Sequence, residues 1–227
     1  MDFINSFSNQ VNIRQTGDGS STVFSSIFGE TYHSIHGAIA ESMHVFINAG
    51  LLISLKTQLN IFEVGFGTGL NAFLTATVAE KSNLKIKYQS LEKFPISIDI
   101  IKNLEYPGLL IANNLIFTAL HTSPWNKETQ ITPNFSLHKL YGDLLEIDIP
   151  KNIDLVYFDA FSPESQPELW SENVFRKLYD NMNPGGIIVT YCAKGIVRRT
   201  LRDIGFTMER LAGPPPKREM LRGRKGF

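Results

Sequence analysis

The sequence is poor in several things, and each shortage excludes something. It has one cysteine, Cys192, so it can build neither an internal disulfide nor a cysteine-rich zinc site. A reducing compartment, hence a cytoplasmic setting, is expected. No run approaches the roughly 18 consecutive apolar residues of a membrane span, so no membrane partner is expected. The opening "MDFINSFSNQ" lacks a basic start and an apolar core and does not read as a signal peptide. There is no internal repeat and no low-complexity tract. No spacing of His, Asp and Glu demands a metal. His33, His36 and His44 read as polar packing or surface residues, and no metal is expected. Net charge is absent too: 22 basic residues balance 22 acidic ones, which argues against indiscriminate nucleic-acid binding.

What is present is globular composition, 43% hydrophobic and 19% charged over 227 residues. That length suits one large α/β domain or a domain with an added lobe. The charge is uneven. From Tyr191 to Phe227 there are ten basic residues against three acidic ones, a surplus of +7, which leaves −7 on the first 190. Such a tail is either a polyanion-binding face or a solvated surface without a partner, and charge alone does not choose.

Along the chain, residues 10–31 read as two short strands around "TGDGS". "HGAIAESMHVFINAGL" reads as a helix, with Ile39, Met43, Phe46 and Ile47 at helical spacing and Gly50 as its stop. Strands and helices then alternate. "LNIFEV" is a strand, the glycine-rich turn follows, and a helix runs on from it. "LKIKYQSLEKF" is a strand ending at Glu92. "PISIDIIKNL" predicts a helix with Pro95 in its first turn. Residues 105–134 read as an irregular insertion with some helix. "FSLHKLYGD" is a strand ending at Gly142-Asp143, and "IDLVYFDAF" is an apolar strand suited to the centre of a parallel sheet. "ELWSENVFRKLYDNM" is a helix with Val174, Leu178 and Met182 inward, ended by "NPGG". "IIVTYCA" is a buried strand. "KGIVRRTLRDIGF" is a helix with Ile196, Val197, Leu201 and Ile204 inward, and "FTMERLAG" and "REMLRG" pair as a terminal hairpin. This alternation predicts a doubly wound, mostly parallel α/β sheet closed by an antiparallel hairpin. Residues 1–50 form a β-hairpin and helix extension packed on a core domain of residues 51–227.

Ligands of such sheets sit beyond the carboxyl ends of the strands. The first strand end is Glu63-Val64-Gly65-Phe66-Gly67-Thr68-Gly69, with Leu70 where a dinucleotide fingerprint wants its third glycine. That departure disfavours NAD. It favours the related turn that carries the amino-acid end of S-adenosylmethionine, the bland alternative being a structural turn. The second ends in Glu92, an acceptor for a ribose diol or an ordinary exposed acid. The third ends in Asp143, an acceptor for an exocyclic adenine amine or a helix N-cap. The fourth is Asp159-Ala160-Phe161-Ser162-Pro163, where an acid followed by an aromatic and a proline can hold an acceptor nitrogen. A glycine turn followed by acids at successive strand ends describes a class I S-adenosylmethionine-dependent methyltransferase, with Asp159 holding an amine.

The motifs "EVGFGTGLN", "SLEKFP", "FDAFSPESQPELW", "NPGG", "AKGIVRRTLRDIGF" and "GPPPKREMLRG" occur in order from residue 63 to residue 223, and "ETYHSIHGAIAES" also looks related. On these the chain resembles the MnmC/MnmD-type bacterial tRNA methyltransferases that complete 5-methylaminomethyl-2-thiouridine at the wobble position. The resemblance implies methyl transfer from S-adenosylmethionine to the primary amine of 5-aminomethyl-2-thiouridine in tRNA. Asp159 would be the catalytic group, and Glu63, Gly65, Gly67, Thr68, Gly69, Glu92, Asp143 and Asp159 itself would hold the donor. Lys194, Arg198, Arg199, Lys217 and Arg218 would bind anticodon-arm phosphates. The uridine must be splayed out to react. Tyr32, Phe161 and Trp170, with Ser162 and Pro163 shaping the turn, would receive it, the alternative for the aromatics being core packing. Family fusions carry a flavin-dependent oxidase after this domain. The chain stops at Phe227, so no fused oxidase is expected here and aminomethyl-uridine would have to be supplied. Two rivals stand beside this reading: an aminopropyltransferase or another amine methyltransferase on the same fold, and a non-catalytic RNA-binding module.

Overall fold

The computed structural model describes residues 10–226. The reading of "MDFINSFSNQ" as no signal peptide falls almost wholly outside them.

The chain opens with a small antiparallel sheet, β1 (Val11–Gln15), β2 (Ser21–Ser25) and β3 (Glu30–Thr31). The predicted turn between the first two is stitched by Asp18, whose Oδ1 accepts from the Ser20 amide at 3.0 Å and from Thr16 Oγ1 at 2.8 Å. Asp18 Oδ2 then accepts from the Ala40 amide and ties the turn to α1 (Ala38–Ser42), which runs on as a π-helical segment, Met43–Asn48. Val11 and Val23 of this sheet bury into the same apolar cluster as the central sheet.

The central sheet has eight strands. In chain order they are β4 (Gln58–Val64), β5 (Lys85–Glu92), β6 (Glu128–Thr132), β7 (Phe135–Tyr141), β8 (Ile153–Phe158), β9 (Met182–Thr190), β10 (Phe206–Ala212) and β11 (Glu219–Lys225). Their spatial order is β10-β11-β9-β8-β4-β5-β7-β6. The run from β9 to β7 is parallel. β11 enters antiparallel against β9, and β10 and β6 form the two edges. β8 lies near the centre and every one of its residues is buried, as its apolar sequence requires. The helices between strands are α2 (Leu70–Ser82), α3 (Ile98–Ile101), α4 (Tyr106–Leu109), α5 (Asn114–Thr122), α6 (Glu172–Asn181) and α7 (Gly195–Ile204). The fold is the expected α/β class: a mostly parallel sheet with a C-terminal antiparallel hairpin and a small N-terminal sheet.

The structure corrects four local expectations. Pro95 lies outside its helix; Ser97 stands at the N-cap and only Ile98–Ile101 are helical. The insertion contains a strand, β6, whose half-exposed edge position weakens the apolar alternation that would have revealed it. "NPGG" does not separate helix from strand. β9 starts at Met182, opposite Ile153, and the register then jumps so that Leu155 faces Ile187. The Asn-Pro-Gly-Gly stretch is the resulting bulge, with Gly185 at φ 74. Ile196 in the first turn of α7 is 59% exposed, while Val197, Leu201 and Ile204 face inward.

Candidate active site

Backbone bonds bring the four strand ends side by side. The Gly65 amide donates to Leu91 O at 2.9 Å, the Asp159 amide to Val64 O at 3.1 Å, and the Gly142 amide to Glu92 O at 3.1 Å. The glycine turn is conformationally demanding. Gly65 has φ 92 and Gly67 φ 50, both in left-handed territory. A Cβ on Gly65 would stand 2.7 Å from the Asp159 carbonyl oxygen, and one on Gly67 would stand 2.8 Å from the Tyr32 ring. The turn is thus pressed against both the fourth strand end and the N-terminal extension.

Above these ends lies a cavity of about 630 Å³. At one end are Phe66, Leu91, Glu92, Phe94, Asp143 and Leu144. Glu92 is buried. Its Oε2 accepts from the Gly67 amide at 2.9 Å and its Oε1 from the Phe94 amide at 2.7 Å. Burial raises its pKa, and those amides oppose the shift. Asp143 bonds to Lys93 Nζ at 2.6 Å and to the Leu145 amide at 2.9 Å. Burial pushes its carboxyl up, but these partners outweigh burial and hold it below the ordinary range.

At the other end are Asp159, Glu41, Lys217, Tyr191, Tyr32 and Phe161. Asp159 Oδ2 accepts from Asn71 Nδ2 at 2.8 Å. Burial, reinforced by the charge of Glu41, pushes Asp159 up to about 7, against the pull of Asn71 and Lys217. Glu41 Oε1 accepts from Lys217 Nζ at 2.6 Å and its Oε2 from the Ser34 amide at 2.7 Å. The same ammonium sits 4.1 Å from the centroid of the Tyr191 ring, whose hydroxyl donates to Ala160 O. Phe161 stacks on Phe28 at 4.4 Å and meets Tyr32 edge-on. The Tyr32 hydroxyl is buried without a protein partner. Ser162 donates through both Oγ and its amide to Glu30, and Ser165 Oγ donates to Glu30 as well, so the N-terminal sheet is tied to the loop after β8. Pro163 lies in the turn closed by the Ser165 and Gln166 amides on Ser162 O, where its fixed φ suits the bend.

A family described as S-adenosyl-L-methionine-dependent methyltransferase matches residues 112–226, slightly more than half of the chain. The chain belongs to this methyltransferase family. Among its relatives is the tRNA 5-methylaminomethyl-2-thiouridine biosynthesis bifunctional protein MnmC of Pseudomonas paraeruginosa. It is 32% identical over 215 residues, 88% of this chain and 33% of that protein. The chain spans about a third of the length of such curated relatives. The crystal structure of MnmC2 from Aquifex aeolicus superposes with a TM-score of 0.73 at 27% identity, covering 94% of this chain and 70% of that one. Spermidine synthase from Thermotoga maritima superposes with a TM-score of 0.63 at 12% identity over 95% of this chain and 68% of that one, a likeness of fold alone.

The cavity of this methyltransferase fits the donor that the family uses. It offers two glycines whose bare backbone faces the cavity, a buried carboxylate at the β5 end, an apolar wall and an unpartnered tyrosine hydroxyl. Of the residues picked out from the sequence, Gly65, Gly67, Glu92, Asp143, Asp159, Tyr32, Phe161, Ser162 and Lys217 line it. Others do not. Glu63 is wholly buried below the lining, and Thr68 Oγ1 bonds to His33 Nε2 at 2.7 Å beneath the turn. Gly69 abuts His121. Trp170 is a core residue, packed on Phe158 and Phe175, with its Nε1 donating to Phe161 O at 2.8 Å. It supports the loop from behind rather than facing the cavity. Lys217 is paired at the cavity wall instead of lying free on the surface, and Lys194 is paired with Glu164. Sequence reasoning missed Glu41, Asn71, Tyr191 and Glu30. Asn71, Glu30 and Glu41 all stood inside quoted motifs, but nothing there set them apart; Glu41 looked like an ordinary polar position on a helix.

Proposed function

We propose that the chain transfers a methyl group from S-adenosylmethionine to the primary amine of 5-aminomethyl-2-thiouridine at the wobble position of tRNA. The observation that carries this reading is the charge at the aromatic end of the cavity. Asp159 and Glu41 converge there with a single ammonium, Lys217, between aromatic walls. That end suits a planar base bearing an amine. The relatives named for 5-methylaminomethyl-2-thiouridine biosynthesis support the choice of base.

When bound, S-adenosylmethionine supplies a methyl group already activated on a sulfonium. Glu92 would accept from its ribose hydroxyls, Asp143 from its adenine amine, and the Gly65–Gly67 backbone would lie along its amino-acid end. The chain's remaining work is alignment and proton handling. An alkyl ammonium of pKa ~10.4 must lose a proton before its nitrogen can attack. An ordinary aspartate near ~3.9 would take that proton at a cost of roughly 9 kcal/mol. At about 7, Asp159 brings the cost to roughly 5 kcal/mol. Burial thus turns a poor base into a usable one. Asp159 also orients the amine, and Asn71 fixes Asp159.

The deciding experiment incubates the protein with labelled S-adenosylmethionine and tRNA from cells lacking this modification, followed by nucleoside mass spectrometry. The expected product is 5-methylaminomethyl-2-thiouridine. A protein that instead consumes decarboxylated S-adenosylmethionine with a polyamine overturns the reading in favour of aminopropyl transfer. One that binds no S-adenosylmethionine in calorimetry overturns it in favour of an RNA-binding module.

A further inference from the structure

Below the cavity floor lies a carboxyl group that the mechanism above does not use. Glu63 is the last residue but one of β4, just before the glycine turn, and is completely buried. Its Oε2 accepts from Ser90 Oγ at 2.5 Å. Its Oε1 has no hydrogen-bond partner, and neither has Oδ1 of Asn71 nor the Tyr88 hydroxyl; Asn71 and Tyr88 both act on the Glu63 carboxyl as hydrogen-bonding groups that pull against burial. The other end of the Asn71 amide is committed, because Nδ2 donates to Asp159. The titratable groups facing Glu63 are Asp159 and Tyr157 from β8 and its end, and Tyr88 from β5. Among the described residues no cation faces it with them.

An ionised Glu63 would sit in a dry site beside a second carboxylate with hydroxyl and amide groups but no cation to offset it, and an amide oxygen would be left unpaired nearby. One proton resolves this arrangement. We propose that Glu63 is kept as a neutral carboxylic acid that donates to Asn71 Oδ1, locking the amide so that Nδ2 points at Asp159. Glu63 is then a positioning residue for the amine methylation proposed above, on which this inference rests, and not a donor-binding one. Burial pushing the Glu63 carboxyl up to about 8 agrees with this. Two interacting carboxyls with raised pKa values hold at most one charge between them near neutrality. The Asn71 N–H places that charge on Asp159, on the cavity side.

The test compares Glu63→Ala with Glu63→Gln, whose amide can donate to Asn71 Oδ1 as the neutral acid does. Glu63→Ala is expected to lower turnover at least tenfold and to move the acid limb of the pH–rate profile upward, because Asp159 loses its fixed donor. Glu63→Gln is expected to restore both to within a few-fold of wild type. Thermal stability gives a second readout, independent of the acceptor. Wild type must retain on folding a proton that its unfolded chain releases near ~4.3. Its melting temperature should therefore fall relative to Glu63→Gln as pH rises from about 5 to about 8. Third, wild-type protein at pH 7 should show the infrared carbonyl band of a buried protonated carboxyl, retained in Asp159→Asn. Wild type without that band overturns the proposal whether or not the Glu63 variants fold, as does a Glu63→Gln enzyme as impaired as Glu63→Ala. Failure to methylate tRNA would instead sink the substrate assignment and leave the stability and infrared results to judge Glu63.

Discussion

At the scale of single residues, the acids at the strand ends were legible because a carboxylate closing an apolar strand is costly unless it has work to do. Asp159 is the sharpest case. Asp159→Asn keeps the shape and an acceptor oxygen for Asn71 but removes the charge. Turnover should fall roughly 10²-fold or more, the scale of a positioned acid–base group. The melting temperature should hold or rise, since a carboxyl that burial makes costly is replaced by an amide. A folded Asp159→Asn enzyme with full activity would remove this residue from the chemistry. Glu41 was not legible: nothing in "AIAES" shows that a helical glutamate turns inward to meet a lysine 176 positions away. Its charge helps to hold Asp159 up, after burial itself. Glu41→Gln removes that charge while its amide oxygen can still accept from the Ser34 amide. Asp159 should then ionise at lower pH, so the acid limb of kcat/KM for tRNA moves down in pH. A limb that stays in place would mean another group sets it.

At the scale of elements, period and turn chemistry revealed the parallel strands and the long helices, and failed where tertiary contact decides. β6 is an edge strand with no fully buried residue, and α3 is four residues long. Neither has enough periodicity to be read. β7 hides a different feature. Its Lys139 occupies an inward position of an alternating strand, 1% exposed, with Nζ donating to His121 O at 2.9 Å and lying 4.8 Å from the Trp125 ring. It has no ion pair among the described residues, and burial lowers its pKa to about 8. The sign follows. The folded chain holds this proton less tightly than the unfolded chain, so the penalty is full below about pH 8 and is relieved as pH rises toward ~10.4. Lys139→Met fills similar space without the charge. It should stabilise the protein at pH 7 by on the order of 1–3 kcal/mol, part of the gain being offset by the lost hydrogen bond and ring contact. Denaturant midpoints should show the advantage shrinking between pH 8 and pH 10. Equal or lower stability at pH 7 would show that the ring and carbonyl contacts outweigh desolvation.

At the scale of the whole molecule, the basic tail looks different once its partners are in place. Of its ten cations, Lys194, Arg202, Arg210, Lys217 and Arg222 are paired with Glu164, Asp203, Glu219, Glu41 and Glu209. Lys225 and Arg224 donate to backbone carbonyls. Arg198, Arg199 and Arg218 are the tail cations with neither kind of partner among the described residues, and Arg198 Nε is buried without one. Composition could count the tail's charge but could not see which charges are spent, because their acids lie up to 176 positions away. If tRNA docks on this surface, these three arginines are the tail cations free to meet its phosphates, whereas Lys194 and Lys217 already have acidic partners. Arg198→Ala combined with Arg199→Ala should then raise KM for tRNA well above its effect on kcat. It should also flatten the dependence of log affinity on log salt by roughly 1.5, at ~0.7–0.9 per lost contact. Lys217→Ala should behave in the opposite way. It leaves Glu41 buried and unpaired beside Asp159, so turnover falls and the acid limb moves up while the salt slope stays put. Measuring both variants across a salt series separates surface from cavity, and a Lys217→Ala enzyme with a flattened slope and normal turnover would return that lysine to the RNA.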